Sequence, residues 1–147
     1  MSYCNGDFID FYDTKFFQDC TSLKKVIIGH IYSGIKDYTF CNCSNLAEVE
    51  FLSDLKNIWG SSEHCSIGEY AFYNCALTSI TIPESAWYID KYAFAENSNL
   101  TSVTFEKTSG WKIQGDIIGT IDVSDPATNA TKLTSSNSGW LQNGIKK

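Results

Sequence analysis

Arginine is absent from this chain of 147 residues, so all 11 of its basic residues are lysines. The chain therefore lacks the bidentate clamp that arginine offers to carboxylates and phosphates. Acidic residues number 17, the net charge is −6 and no basic run occurs, which makes the chain a poor partner for nucleic acid or anionic lipid. No stretch approaches the roughly 20 apolar residues of a membrane helix. We expect neither nucleic-acid binding nor membrane insertion.

Internal repeats account for most of the apolar residues, which make up 43% of the chain. The repeats share a frame of Phe, a Cys or Asn after two intervening residues, then Leu, two residues, Val or Ile, and a further apolar residue. Four segments fit this frame: FFQDCTSLKKVII from Phe16, TFCNCSNLAEVEF from Thr39, AFYNCALTSITI from Ala71 and AFAENSNLTSVTF from Ala93.

Three columns of residues recur at nearly constant spacing. Successive leucines are 23, 31 and 23 residues apart, and the columns comprise Leu23, Leu46, Leu77 and Leu100, then Val26, Val49, Ile80 and Val103, then Phe17, Phe40, Phe72 and Phe94. Five residues before each Phe stands Tyr12, Ile35, Ile67 or Ile89. A period of about 23 lies in the leucine-rich-repeat range of roughly 20–29 residues.

The alternating piece that begins at each leucine predicts a short strand with one buried face. Strands of successive coils would form a parallel sheet, and the Phe column would fill the opposite wall of the core. The column of Cys20, Cys43, Cys75 and Asn97 would occupy a tight bend, where Asn can bond the backbone of the next coil. We predict a β-rich solenoid, a right-handed leucine-rich-repeat superhelix of about four coils with short parallel strands.

One class of leucine-rich repeat fits these segments best. The run from Cys65 to Cys75, the run Cys75–Ile82 followed by Pro83, and Ile89 followed by Tyr92-Ala93-Phe94 resemble the BspA-like pattern over about residues 8–106. The resemblance implies a bacterial or protozoan surface or secreted protein, and several members of the family are described as adhesins for host matrix proteins. It implies no cofactor and no catalysis by the repeats.

The predicted organisation is a repeat region over residues 1–106 and an irregular C-terminal β cap over residues 107–147, with one short helical turn at Ser124–Ala127 and a frayed end from Gly139. Coil two carries an inserted loop at residues 52–66. The chain begins in mid-coil, which is expected of an incomplete coil that acts as a cap or of a cut from a longer array. Without a signal peptide a cytoplasmic protein is an alternative, but the resemblance implies a mature or trimmed piece of an extracellular or cell-surface protein.

Metal binding and catalysis have little support in the sequence. Three of the six cysteines belong to the repeat column, and Cys4, Cys41 and Cys65 lie outside it without zinc-site spacing. Thiols are favoured over disulfides. Glu48 and Glu50 share one face of a strand, but an open sheet favours a solvated acidic spot over an acid–base pair.

The candidate partner-binding residues lie on the outer strand face and in two loops. On the strand face they are Lys25, Ile27, Glu48, Glu50, Ser79, Thr81, Ser102 and Thr104; in the loops they are Trp59, Trp87 and Tyr88. Strand alternation places the first eight outward. The aromatic residues would make better anchors, because Trp and Tyr dominate binding energies.

Three functions remain open. The first is a non-catalytic recognition or adhesion module that binds a protein of host-matrix type or a glycan. The second is a structural spacer, or a fragment of a longer array, with no ligand of its own. An enzyme is the third, and would need a pocket with clustered titratable groups. The sequence leaves the oligomeric state open.

Overall fold

The computed structural model describes residues 15–29, 34–51, 65–115 and 119–142. Within these ranges the chain forms short strands and one helix: β1 (Lys25–Ile28), β2 (Glu48–Phe51), β3 (Cys65–Ile67), β4 (Ser79–Ile82), β5 (Ala86–Ile89), β6 (Ser102–Phe105), β7 (Trp111–Ile113), α1 (Pro126–Ser135) and β8 (Trp140–Gln142). This strand-rich pattern of stacked repeats confirms the predicted solenoid-like fold. Its handedness, number of coils and cap stay predictions.

Parallel strands carry the leucine repeats. β1 pairs with β2, and β4 with β6, each at an offset of 23 residues, as in Val26↔Val49 and Ile80↔Val103. The backbone N–H of Ala76 donates to the carbonyl of Leu46 at 2.9 Å and links the two pairs. The leucines stand two residues before these strands, so the offset that pairs the strands also aligns the leucines. Leu46 and Leu77 are fully buried.

The phenylalanine column forms the centre of the core. The rings of Phe17, Phe40, Phe72 and Phe94 stack one upon another with centroid distances of 5.3, 5.2 and 5.4 Å and interplanar angles of 7–9°. The last three side chains are fully buried. Each repeat therefore buries its ring between the rings of its neighbours, which a single repeat could not do alone.

The second sheet has the order β3-β5-β8-β7. Ile67 of β3 pairs in parallel with Ile89 of β5 and bridges to Ile35, so the predicted isoleucine column lies in this wall. Gly34 has a φ of +88°, and a side chain there would meet the backbone of Ser66. Close packing of neighbouring repeats thus requires glycine at this position.

The predicted bounds of the inserted loop, residues 52–66, include two residues at the C-terminal end that belong to a strand. Cys65 and Ser66 belong to strand β3, because Ser66 pairs with Tyr88 of β5. Residues 52–64 lie outside the described ranges.

The C-terminal segment contains a helix where irregular strands and a single helical turn were predicted. Asp125 caps α1 by accepting a hydrogen bond from the N–H of Ala127, and Pro126 occupies the first turn. The start was correctly placed, but the helix extends to Ser135. Tertiary packing explains its length, because Asn129, Ala130 and Leu133 are buried and α1 contacts β6.

The fraying predicted from Gly139 onward is wrong for residues 139–142. Trp140 begins strand β8, which pairs with β5 on one side and β7 on the other. Its side chain is 2% exposed and stacks on Phe105 at 5.9 Å. Burial of this large aromatic surface holds the segment in place. Residues 143–147 lie outside the described ranges.

Candidate binding surfaces

The strand face carries the predicted outward positions. Lys25 lies opposite Glu48, Ile27 opposite Glu50, Ser79 opposite Ser102, and Thr81 opposite Thr104. All are exposed except Ser102, which is half-buried. Hydrogen-bonded strand pairs hold each of these side chains on a fixed backbone.

Charged side chains on the strand face form ion pairs within the face, and one negative charge remains in excess. Lys25 Nζ lies 3.3 Å from Glu48 Oε2 and 3.4 Å from Glu50 Oε2. The hydrogen bonds from Lys25 to both carboxylates raise the pKa of its ammonium group. Glu48 and Glu50 therefore bracket a lysine, and their arrangement does not separate an acid from a base as a catalytic carboxylate pair requires. Exposed ion pairs of this kind stabilise the fold only weakly.

Ile27 is the most exposed large apolar residue described, at 58%. It projects beside the exposed ion-paired residues of β1 and β2. Protein interfaces likewise place apolar side chains at the centre and polar groups around them.

Two of the predicted aromatic anchors lie in a strand and not in the predicted loop. Trp87 and Tyr88 were expected in a loop, but both belong to strand β5 and are half-buried. The Tyr88 hydroxyl lies 2.9 Å from Gln114 Oε1 and 3.1 Å from Asp90 Oδ1. Burial, with the nearby carboxylate of Asp90, raises the pKa of Tyr88 to about 12. Strand pairing with β3 and β8 accounts for the difference. Trp59 lies outside the described residues.

A column of tyrosines, which the sequence interpretation missed, runs along the turn segments of the repeats. The rings of Tyr38 and Tyr70, and those of Tyr70 and Tyr92, stack at centroid distances of 5.0 Å with interplanar angles of 14° and 21°. Lys15 Nζ lies 5.2 Å from the centroid of the Tyr38 ring. Lys15 and the three tyrosines each precede the Phe of their segment by two positions, and this regular spacing could have revealed the column.

An amide column accompanies the tyrosine column on the turn segments. Asn42 Nδ2 donates to Asp19 Oδ1 at 2.9 Å, and Asn74 Nδ2 donates to Asn42 Oδ1 at 3.1 Å. The next repeat has Glu96 in this place. All four of these residues, like Lys15 and the three tyrosines, have a positive φ of 52–73°. Each repeat thus contains two residues in the left-handed region, a backbone conformation that Asn adopts at lower cost than Tyr or Lys does.

The Cys/Asn column supplies inward hydrogen-bond donors. The thiols of Cys43 and Cys75 donate to the carbonyls of Phe17 and Phe40 at 3.1 and 3.2 Å. Asn97 Nδ2 donates to Phe72 O at 2.7 Å. Each donor therefore reaches the preceding repeat, whereas a bond from Asn to the next coil was expected. The reason is that the Phe carbonyl of the preceding repeat faces the bend.

The buried cysteines fit a packing role. Cys20, Cys41, Cys43 and Cys75 are buried thiols rather than halves of a disulfide. Burial raises the pKa of the Cys75 thiol and, with the nearby Asp19 carboxylate, that of Cys41, which disfavours the reactive thiolate. Among the described residues no group of three His, Cys, Asp or Glu side chains could hold a metal. Cys4 and the side chain of Cys65 lie outside the described set.

A cavity of about 400 Å³ opens in the C-terminal segment, lined by Ile113, Gly119, Thr120, Ile121, Asp122, Lys132, Ser135 and Trp140. Its two charged lining residues are Asp122 and Lys132, and hydrogen bonds from Ser124 lower the pKa of Asp122. The described helix is too short and too polar to cross a membrane.

Comparisons with known proteins agree with this geometry. A family model described as the BspA type leucine-rich repeat region matches residues 11–111 in six copies. Among solved structures, a leucine rich cell surface protein from Faecalibacterium prausnitzii A2-165 is similar, with 26% sequence identity and a TM-score of 0.56. The alignment covers 67% of this chain and 23% of that protein's chain. No curated protein matches the chain.

The extent of the family match identifies the repeats. It spans more than half of the chain and includes the stacked phenylalanine, leucine and Cys/Asn columns described above. This chain belongs to the BspA type leucine-rich repeat family.

Proposed function

We propose that this chain is a non-catalytic recognition module, on a cell surface or secreted, that binds a protein of host-matrix type or a glycan through its strand face. The family match and the similarity to a leucine rich cell surface protein support the location. The observation that carries the proposal is the strand face itself, where hydroxyl groups, an ion-paired lysine and an exposed Ile27 lie on paired strands. Little ordering entropy is lost when so rigid a surface binds.

The proposal includes a division of the chain into about four right-handed coils over residues 1–106 and a cap over residues 107–147. Hydrogen bonds from the tail to the last repeat support the cap. Asn129 Nδ2 donates to Val103 O of β6 at 2.9 Å, and Ser136 O accepts the backbone N–H of Tyr92. The equivalent backbone N–H of Tyr38 donates to the carbonyl of Glu69 in the following repeat. At Tyr92 the tail therefore provides the acceptor that a further coil would provide.

Substitutions on the strand face test the binding role. We expect Ile27→Glu and the double variant Thr81→Lys/Thr104→Lys to weaken binding to immobilised matrix proteins or glycans by about tenfold or more, because charge replaces the contact surface. Thr131→Lys, on the exposed side of α1, is the matched control and should bind as the unaltered chain does. Surface plasmon resonance gives the Kd values, and circular dichroism checks the fold.

Unchanged binding by both strand-face variants would show that the strand face is not the site. A spacer is the second candidate, because the strand face lacks Trp, Tyr and Arg and its charged residues pair with one another. If the unaltered chain binds no protein or glycan in these assays, the spacer role is the better account.

A further inference from the structure

The tyrosine column presents a row of hydroxyl groups at a fixed spacing. Tyr38, Tyr70 and Tyr92 are half-buried, and their hydroxyls form no hydrogen bond with any described residue. Ring stacking at 5.0 Å holds them in line. Backbone hydrogen bonds between repeats, such as Tyr38 N–H to Glu69 O at 2.9 Å, fix the same spacing. The row is therefore arranged before any ligand arrives, which lowers the entropy lost on binding.

Backbone geometry does not explain why these residues are tyrosines. Each has a φ of 54–60°, where glycine or asparagine is the less costly choice. Phe in this place would preserve the stack, so stacking accounts for an aromatic ring and leaves the hydroxyl unexplained. A hydroxyl that forms no hydrogen bond with the described residues is available to a ligand.

The amide column beside the tyrosine column is neutral at its middle positions, Asn42 and Asn74. Charged residues stand at its ends, Asp19 and Glu96, and Lys15 lies over the Tyr38 ring. The amides of Asn42 and Asn74 repeat at the same spacing and keep donor and acceptor capacity beyond the bonds within their column. Lys91 Nζ lies 3.3 Å from Glu69 Oε1, so these two charges offset each other. Phenol and amide groups both donate and accept hydrogen bonds, as sugar hydroxyls do.

We propose that the tyrosine column and the adjacent amide column form a second binding site, which holds a neutral, extended, β-linked hexopyranose glycan lying along the stack of repeats. Each sugar in such a chain advances by about the length of one ring, close to the 5.0 Å between tyrosines. A peptide in extended form advances by about 3.3 Å per residue and falls out of step with the column. The ring faces cover one another, so the sugar is bound through hydroxyls and ring edges.

Affinity electrophoresis in gels that contain hydroxyethyl cellulose, a soluble β-linked glucan, tests this site. Dextran, an α-linked glucan of different shape, is the control polymer. The triple variant Tyr38→Phe/Tyr70→Phe/Tyr92→Phe keeps the stacked rings and removes only the hydroxyls. Tyr88→Phe is the matched control, because its hydroxyl already lies within bonding distance of Asp90 and Gln114.

We expect hydroxyethyl cellulose, but not dextran, to retard the unaltered chain and Tyr88→Phe. The triple variant should bind with a Kd raised by about tenfold or more, because three hydrogen bonds are lost together. No retardation, equal retardation in dextran, or full retention by the triple variant would each overturn the site.

The strand-face variants distinguish a failure of the tyrosine site from a failure of the strand-face proposal. If Thr81→Lys/Thr104→Lys abolishes glycan retention while the triple variant keeps it, the glycan lies on the strand face; the recognition role then stands and the tyrosine site is refuted. The tyrosine site is also refuted, and the recognition role kept, if the chain binds an immobilised matrix protein through the strand face and binds no glycan.

Discussion

Phe72→Ala should lower the free energy of unfolding by about 3–5 kcal/mol, the range for removal of a buried aromatic ring from a packed core. The Phe72 ring is fully buried and stacks on Phe40 at 5.2 Å and on Phe94 at 5.4 Å. A cavity here would separate two halves of the column, so collapse of the surroundings could not fill it. Total stabilities of small domains are about 5–15 kcal/mol, so the effect should be large.

Urea unfolding followed by tryptophan fluorescence measures this loss. Phe16→Ala is the matched control, because Phe16 is half-buried and meets the Phe17 ring edge-on, outside the stack itself. It should cost about 1 kcal/mol, in the range of ordinary substitutions. Equal costs for the two variants would mean that the stacked column does not dominate the core.

Asn97→Ala should cost about 2–4 kcal/mol, because a buried donor that serves several carbonyls is lost. Asn97 Nδ2 lies 2.7 Å from Phe72 O, 2.9 Å from Phe94 O and 3.3 Å from Ala95 O, and the residue is 2% exposed. The bond to Phe72 O joins two repeats, so its removal weakens the contact between them as well as the bend itself.

Asn97→Cys distinguishes a donor column from simple burial. Cysteine occupies the same place as Cys43 and Cys75, whose thiols donate to the Phe carbonyls of the preceding repeats. Asn97 Oδ1 is buried without a partner among the described residues, and cysteine removes this unsatisfied acceptor. The cost should therefore stay below about 1 kcal/mol. A loss equal to that of Asn97→Ala, by the same denaturant method, would refute the shared donor role.

The core could be predicted because repetition gives several independent readings of one pattern. The spacing of Leu46 and Leu77 predicted the strands, and that of Phe40 and Phe72 predicted the ring column. The spacing of Ile35 and Ile67 marked a further column, which the structure places in the second sheet. The outward strand positions followed from alternation alone. These features depend on local periodicity, which a single sequence states directly.

The tail could not be predicted in the same way, because it has no repeat. Helix α1 contains Thr, Asn and Ser, which are weak helix formers, and its buried face is set by contact with β6. Strand β8 depends on partners far along the chain, as in Ile89↔Trp140. These contacts are tertiary, and no local pattern in the sequence reports them.

The candidate sites also differ in whether a local pattern in the sequence predicts them. The exposed strand face followed from alternation, whereas Trp87 and Tyr88 were misplaced because the segment after Pro83 forms a strand against β3. The tyrosine column was visible in the spacing of Tyr38, Tyr70 and Tyr92. Its importance depends on the left-handed backbone and the stacking, which only the structure provides.

A double-mutant cycle between Phe40 and Phe72 tests the stacking of repeats most directly. We expect Phe40→Leu and Phe72→Leu to be coupled by about 0.5–1.5 kcal/mol, because each removes one side of the same ring contact. Phe17→Leu and Phe94→Leu, which are not adjacent in the column, should add within about 0.5 kcal/mol. Simple additivity of the Phe40 and Phe72 variants would contradict the stacked column and the account of the fold that rests on it.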